Sequence, residues 1–146
     1  MNEMEAELIG MHTGDGTLYS AGKTLVWELR GSVNEKDYYE YVAELVRKLL
    51  NIELKPKYRG INSYGIQTTN KTITSFFVSS GFRAGKKTHT VSVPEQIKSS
   101  SKDIKIRFVR GLFDTDGCLR FEKNRTKIRY YPRIEFQFAS NKLVED

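Results

Sequence analysis

Two short stretches of this sequence repeat one pattern: an apolar run that contains a glycine, a second small residue four positions on, and then Asp-Gly. They occupy residues 8–16 and 109–117. If each stretch is a helix, its two small residues lie on one face, because positions i and i+4 are neighbours on a helix surface. These small residues are Gly10, Gly14, Gly111 and Thr115. The pattern therefore predicts two helices that pack closely, backbone against backbone.

Both copies end in Asp-Gly, which in isolation is a common hairpin turn. The recurrence of the whole pattern instead indicates an internal duplication. Gly16 and Gly117 suit the left-handed conformation that often ends a helix. Asp15 and Asp116 would then lie side by side at two helix ends, where carboxylates and helix dipoles attract a hard divalent cation.

Both copies resemble the LAGLIDADG motif of homing endonucleases, and the second copy is the closer match. The first copy has His12 and Thr13 where an apolar residue and an aspartate are usual, whereas the second keeps that aspartate as Asp114. The resemblance implies an α+β fold in which the motif helices form the seam between αββαββα repeats with curved antiparallel sheets. It also implies that Asp15 and Asp116, the last acidic residues of the two motifs, bind the Mg²⁺ or Mn²⁺ ions that cleave DNA.

The resemblance also implies a basic residue beside the metal ions, after the third helix. Lys87 matches that position best, and Lys86 is the second candidate. The alternative for both lysines is a mobile exposed loop without a catalytic role. The backbone carbonyls at the ends of the two motif helices, those of Gly14 and Thr115, would each add a metal ligand.

Composition narrows the class of protein. A chain of 146 residues is long enough for one domain with a core, and an apolar content of 38% without a run of membrane length indicates a soluble protein with no membrane partner. The single cysteine, Cys118, excludes an internal disulfide and points to the reducing cytoplasm. Two histidines and one cysteine make a poor zinc site, which favours Mg²⁺. The net charge of +6 suggests an anionic partner.

The resemblance implies one complete repeat over residues 1–98 and the helix and hairpin of a second repeat over residues 99–146, and hydrophobic periodicity predicts the elements of each. The predicted elements of the first repeat are a helix over 3–14, strands at 17–19 and 24–32, a helix capped by Asn34, a hairpin over 53–68, a helix capped by Asn70 or Thr69, and a short helix begun by a capping box at 92–95. In the second repeat, Ser101 caps the motif helix and strands follow at 118–122 and 127–140.

Alternating side chains along the strands predict a wide polar and basic sheet face opposite the helices. The residues expected to bind DNA from this face are Arg30, Lys55, Lys57, Arg59, Arg129, Arg133 and Gln137. Cations on this face can bind phosphates, and Arg and Gln at two-residue spacing can contact bases in a major groove. Two alternatives stay open: a merely solvated sheet face and, for the lysines beside Pro56, protection of an edge strand against aggregation.

The residues and the resemblance together predict a site-specific, divalent-metal-dependent endonuclease that cuts double-stranded DNA, of the two-motif type found in archaea and inteins. One alternative is a DNA- or RNA-binding module of the same fold that does not cleave, such as a regulator or a maturase. A protein-interaction fragment is a third class.

The predicted second hairpin has an apolar side for which no later helix is expected. The residues on this side are Ile128, Tyr130, Ile134, Phe136 and Phe138. Exposing so many large apolar side chains is costly, so we expect another surface to cover them. Either a homodimer or a C-terminal part that this sequence lacks would provide the cover.

Overall fold

Up to the last strand, helices and strands follow one another along the chain in the order that the sequence predicts for an α+β protein, and a short C-terminal helix that was not predicted follows. The computed structural model describes residues 1–123 and 130–146, and the side chains of residues 1–121 and 132–146. The helices are α1 (Glu3–Gly14), α2 (Lys36–Leu50), α3 (Lys71–Ser79), α4 (Glu95–Lys98), α5 (Lys102–Asp116) and α6 (Asn141–Glu145). The strands are β1 (Thr17–Ala21), β2 (Thr24–Ser32), β3 (Lys57–Tyr58), β4 (Ser63–Thr68), β5 (Gly117–Lys123) and β6 (Tyr130–Phe136).

Two antiparallel sheets follow the two motif helices α1 and α5. The first sheet has the strand order β1-β2-β4-β3, and the second consists of β5 and β6. Side chains alternate between the faces of β2: Trp27 and Leu29 are fully buried, whereas Arg30 is exposed. The first sheet therefore has one face on the core and one polar outer face.

The core lies between the helices and the inner face of the first sheet. Helix α2 contributes Tyr39, Val42, Ala43, Leu45 and Val46, which recur at helical spacing on one side. Helix α3 contributes Ile73 and Phe77, both fully buried. Of the other tyrosines of this helix, Tyr38 packs partly buried against the core and Tyr41 stays 38% exposed. No helix in the described part of the chain is long and apolar enough to cross a membrane.

Helices α1 and α5 approach each other at their glycines. A Cβ atom on Gly10 would lie 2.1 Å from the carbonyl oxygen of Phe108, and one on Gly111 would lie 2.1 Å from the carbonyl oxygen of Glu7. Both distances are far below a van der Waals contact. The two helix backbones therefore touch at positions where only glycine fits.

The start of α2 differs from the prediction. Asn34 does not cap this helix, because it lies inside a 3₁₀ turn (Val33–Glu35) that runs directly into α2. Ser32 caps that turn: its side chain accepts from the amide of Asn34, and the Glu35 side chain accepts from the amide of Ser32. The serine two residues earlier therefore makes the capping box.

The predicted cap of α3 is confirmed, because the side chain of Asn70 accepts from the amides of Thr72 and Ile73. The other predicted caps are not formed. Ser101 precedes α5 without a side-chain cap hydrogen bond, and α4 begins after Pro94 without the predicted capping box. Gly117 has φ −87°, so it is not left-handed.

The glycines after the two motif aspartates are needed for space. A Cβ atom on Gly16 would lie 2.2 Å from Nδ1 of His12, and one on Gly117 would lie 2.1 Å from Cδ2 of Phe113. Gly16 is not among the described residues with positive φ. Close packing against the preceding helical turn, and not a left-handed conformation, therefore explains both glycines.

Two predicted strands are shorter in the structure. The strand expected over residues 53–59 is only β3, because Pro56 has no amide hydrogen to extend the ladder and its carbonyl instead accepts from the hydroxyl of Tyr64. The last strand ends at Phe136 and not at Ser140, whose hydroxyl donates to the carbonyl of Val91. Most of the turn expected between the strands at 118–122 and 127–140 lies outside the described residues.

Candidate metal and nucleic-acid site

The two motif aspartates meet where helices α1 and α5 end. Asp15 is the residue that follows α1, and Asp116 is the last residue of α5. Gly14 permits this meeting: a Cβ atom there would lie 1.9 Å from Oγ1 of Thr115 and 3.1 Å from Oδ2 of Asp116. The hydroxyl of Thr115 turns back to donate to the carbonyl of Leu112 at 2.9 Å. The small residues of the seam thus bring the two carboxylates together.

The environment of these carboxylates favours a cation. Burial, and then the negative charge of Asp116, raises the pKa of Asp15 to about 6. Burial also raises the pKa of Asp116, although Lys87 opposes this shift. Both groups therefore resist ionisation in the absence of a cation, and a positive charge placed between them would be stabilised.

Lys87 lies at the same place. Its ammonium group donates to the backbone carbonyls of His12 at 2.8 Å, of Thr13 and of Gly14, at the C-terminal end of α1. Burial lowers the pKa of Lys87 to about 8, even though Asp116 and Asp15 act in the opposite direction. Lys86 is exposed, and it lines the neighbouring pocket without contacting these carbonyls.

The site has the chemistry that a hydrated divalent cation prefers. A pocket of about 480 Å³ opens beside Gly14, Asp15 and Lys87. No group of three or more His, Cys, Asp or Glu side chains among the described residues is arranged to hold a metal ion. The available donors are therefore the two carboxylates and backbone carbonyls such as that of Gly14, which keeps a second lone pair while it accepts from Lys87. Such hard oxygen donors suit Mg²⁺ or Mn²⁺ with several water molecules.

The outer face of the first sheet carries polar side chains from several strands. The predicted residues Arg30 and Lys57 both face Gly65 of β4, on neighbouring strands, and are exposed. Arg30 lies 3.6 Å from the carboxylate of Glu28 on the same strand. Lys55 is exposed but lies outside β3, so it does not share the strand register that the sequence predicted.

A chain of hydrogen bonds crosses this outer face. Arg59 Nη1 donates to Oε1 of Gln67 at 2.9 Å, and Nε2 of Gln67 donates to the hydroxyl of Tyr19 at 2.6 Å. Tyr19 and Gln67 were not among the predicted DNA-binding residues. The available signal was that both occupy outward positions of their strands. These bonds hold Arg59 over the sheet and leave the outer face with an ordered polar surface.

The second hairpin presents fewer described side chains. Arg133 lies opposite Arg120 in the register of β5 and β6, and Gln137 is exposed just after β6. Arg129 lies outside the described residues. The structure therefore brings Asp15, Asp116 and Lys87 together at one point and distributes the described members of the predicted DNA-binding set over the two sheets and the segments beside them.

A buried polar group on the seam was not predicted. Glu7 is 3% exposed and accepts from the hydroxyl of Tyr41. Arg110 Nε lies 3.5 Å and Arg107 Nη1 3.8 Å from its carboxylate. The sequence did contain an indication that Glu7 lies on the seam, because Glu7 is one turn before Gly10 on the same helix face. This network joins α1, α2 and α5 next to the glycine contacts.

Two helices that touch at small residues, end at paired carboxylates and lead into antiparallel sheets define the fold of LAGLIDADG homing endonucleases. Solved structures with this fold are the structural neighbours of the chain. A variant of the homing endonuclease I-DmoI, in complex with its nicked target DNA and in the presence of manganese, has a TM-score of 0.58 and 20% sequence identity. This match covers 80% of the present chain and 62% of I-DmoI, so the chain spans less than two thirds of that protein.

Two further neighbours have lower identity and higher coverage of this chain. A variant of I-SmaMI has a TM-score of 0.56 with 12% identity over 99% of this chain and 70% of its own. The LAGLIDADG meganuclease I-AabMI, bound to uncleaved DNA, has a TM-score of 0.52 with 10% identity over 92% of this chain and 65% of its own. No family profile and no curated protein matches the sequence. At these identities, the similarity shows the fold.

The raised pKa of Asp15 has a consequence for stability. Between its ordinary value of 3.8 and about 6, Asp15 is ionised in the unfolded chain but protonated in the folded protein, so the free energy of unfolding falls as the pH rises. Asp15→Asn removes this dependence. As the pH rises from 4 to 6, the free energy of unfolding of the variant should increase by about 1–2 kcal/mol relative to that of wild type, after a discount for solvent screening. Urea unfolding of both proteins in EDTA over this pH range measures the difference, and a difference independent of pH would contradict the prediction.

Proposed function

We propose that this protein is a site-specific, divalent-metal-dependent endonuclease that hydrolyses both strands of DNA. The observation that carries the proposal is the meeting of Asp15, Asp116 and Lys87 at the ends of two tightly packed helices. A polar and basic sheet face follows the first of these helices directly. Neighbours with the same fold were solved in complex with DNA and with manganese or calcium, which supports a DNA partner and a divalent ion.

The chain's own residues supply a consistent set of roles. Asp15 and Asp116 would hold Mg²⁺ or Mn²⁺, which when bound activates a water molecule and neutralises the leaving oxygen of a phosphodiester. The carbonyl groups of Gly14 and Thr115 add oxygen donors at the same helix ends. Lys87, with a pKa of about 8, can stabilise developing charge or transfer a proton near neutral pH. Lys86 is exposed beside it and is available to a phosphate.

A cleavage assay tests this function directly. The substrate is a plasmid that carries the DNA flanking the coding sequence, joined across it, because a homing enzyme usually lies within the site it recognises. We expect linear plasmid with Mg²⁺ and intact plasmid with EDTA. Binding of this plasmid without any cleavage in Mg²⁺ or Mn²⁺ would instead identify a DNA-binding module of the same fold. If the protein neither binds nor cleaves this plasmid, the proposal is refuted, and a protein-interaction fragment is the remaining class.

DNA binding should weaken steeply with salt if the outer sheet face contacts phosphates. Replacing Lys55, Lys57 and Arg59 together by alanine should make the slope of log K against log[salt] shallower by about 2–3, because each lost phosphate contact removes nearly one unit. Fluorescence anisotropy with labelled DNA over a salt series measures the slope.

A charge-matched variant provides the control for this measurement. Lys48, Lys102 and Lys105 are exposed lysines on helices α2 and α5, away from the outer sheet face. Their replacement by alanine changes the net charge equally and should leave the slope close to that of wild type. If the sheet variant also keeps the wild-type slope, its three residues protect an edge strand and do not bind DNA.

The apolar side of the second hairpin is only partly covered. Leu119 and Ile134 face each other across β5 and β6 and are 51% and 69% exposed. Phe138, in contrast, packs against the core, and Leu143 of α6, a helix that the sequence did not predict, is buried and lines the same pocket as Phe138. The side chains of Ile128 and Tyr130 lie outside the described ones.

We propose that self-association covers the exposed part of this hairpin. Large apolar side chains cost roughly 1.5–3 kcal/mol each when they stay in water, which favours an interface. Analytical ultracentrifugation should show a monomer–dimer equilibrium that shifts to monomer in Ile134→Glu. A wild-type chain that is monomeric at every concentration would exclude the homodimer and leave additional polypeptide, in a longer form of the protein, as the cover.

A further inference from the structure

His12 occupies a position of the first motif where an apolar residue is usual, and it is almost completely buried. Its side chain is 1% exposed, and its ring lies between two aromatic rings: the centroid of Phe77 is 4.4 Å away and that of Phe82 is 4.2 Å away. Burial, and then the charge of Lys87, lowers the pKa of His12, so the ring is neutral in the folded protein. A polar ring at such a place needs a hydrogen-bond partner.

Trp27 provides that partner from the neighbouring sheet. Nε1 of the indole donates to Nδ1 of His12 at 3.1 Å, and this is the only tryptophan of the chain. Trp27 itself is fully buried in β2 and stacks on Phe77 at 4.9 Å. The backbone at Gly16 passes directly over the ring, since a Cβ atom there would lie 2.2 Å from Nδ1. The hydrogen bond therefore ties the last turn of α1 to the sheet.

The same residue takes part in the candidate site through its backbone. The carbonyl of His12 accepts from the ammonium group of Lys87 at 2.8 Å, next to the carbonyls of Thr13 and Gly14. Phe82, which packs on the His12 ring, lies in the chain segment that leads to Lys87. The imidazole is thus held in the core while the carbonyl of the same residue holds the lysine.

We propose that His12 is a positioning residue, whose hydrogen bond with Trp27 holds the last turn of α1 so that its carbonyls keep Lys87 beside Asp15 and Asp116. A leucine at this position would fill a similar volume but could not accept the indole N–H, and it would leave a buried donor without a partner. Any effect of His12 on catalysis rests on the proposed endonuclease function. The effect of His12 on the position of Lys87 is independent of that function.

The first experiment compares the reactivity of two adjacent lysines. Brief acylation with acetic anhydride, read by mass spectrometry, gives the ratio of modification at Lys87 to that at exposed Lys86. In His12→Leu, this ratio should rise about tenfold, because Lys87 is released from the carbonyls when one buried hydrogen bond is lost. In His12→Asn, whose Oδ1 can accept at the place of Nδ1, the ratio should stay within about twofold of wild type.

Two further measurements separate positioning from loss of stability. The single indole N–H signal in a ¹⁵N spectrum should shift in His12→Leu and return towards its wild-type position in His12→Asn. Trp27→Phe removes the donor in place of the acceptor and should raise the lysine ratio as His12→Leu does. Val46→Ala removes two buried methyl groups from the core face of α2 and should leave the ratio unchanged.

Each outcome decides the proposal. It is overturned if His12→Leu keeps the wild-type lysine ratio and indole signal, if His12→Asn behaves like His12→Leu, or if Val46→Ala raises the ratio equally. If Trp27→Phe is the only one of these variants that folds, a raised ratio of Lys87 to Lys86 modification supports the proposal and a wild-type ratio overturns it. Should the wild type cleave DNA, cleavage should fall in His12→Leu and recover in His12→Asn. A wild type that never cleaves refutes the endonuclease function, and the lysine ratios still decide the role of His12.

Discussion

In the proposed endonuclease, Asp116→Asn should reduce DNA cleavage by at least about a thousandfold, because a site that loses one of two carboxylates would lose most of its hold on a divalent ion worth several kcal/mol in the transition state. The asparagine keeps the shape of the side chain and removes its charge. Asp15→Asn should have the same effect. Plasmid cleavage with Mg²⁺, followed over several hours, measures both losses.

The same variants should bind DNA at least as tightly as wild type, since a carboxylate beside a phosphate is repulsive when no cation lies between them. Asp103→Asn is the matched control: it removes an exposed carboxylate from the first turn of the same helix, at the end opposite to Asp116. It should retain cleavage within about tenfold of wild type. If Asp15→Asn and Asp116→Asn both still cut, the metal assignment is wrong.

Gly111→Ala should lower the free energy of unfolding by about 2–3 kcal/mol or more, because overpacking of this kind forces the backbone to move. The new methyl group would lie 2.1 Å from the carbonyl oxygen of Glu7 on α1, and a backbone atom cannot turn away as a side chain can. In an isolated helix, the same change would stabilise by about 1 kcal/mol, since alanine is the better helix former. The sign of the effect therefore reports the contact between α1 and α5. Urea unfolding measures it.

Gly60→Ala serves as the control for this prediction. Its nearest neighbour would be the Cβ atom of Ser63 at 4.0 Å, so the methyl group meets open space. This variant should have nearly the stability of wild type. A Gly111→Ala protein as stable as wild type would show that the two helices do not touch at this glycine.

Much of the secondary structure follows from local sequence patterns. The range of α1 and that of β2 are those predicted, and α3 is capped by Asn70, because hydrophobic period and capping chemistry act within a few residues. The start of α2 was misplaced, since Ser32 and Asn34 are both good cap residues and only the 3₁₀ turn between them distinguishes their roles. Lys55 was placed in a strand that Pro56 does not allow to form.

The sequence by itself determined which residues could form the site. The repeated spacing of small residues and Asp-Gly singled out Asp15 and Asp116, because helical periodicity alone assigns them to equivalent ends of two helices. The resemblance to the LAGLIDADG motif then narrowed the basic residue to Lys86 and Lys87, which are adjacent. Local periodicity cannot predict more, because it assigns a residue to one face of its helix or strand and does not identify the residues that pack against that face.

Only the tertiary structure placed Lys87, and not Lys86, at the carbonyls that end α1, and paired the buried ring of His12 with Trp27. Lys87 reaches carbonyls more than 70 residues away in the chain, and Trp27 reaches His12 across 15 residues. Such pairs depend on how α1, the first sheet and the segment after α3 pack together. Burial then lowers the pKa of Lys87 and raises that of Asp15, an effect of desolvation that exists only once the surrounding chain excludes water.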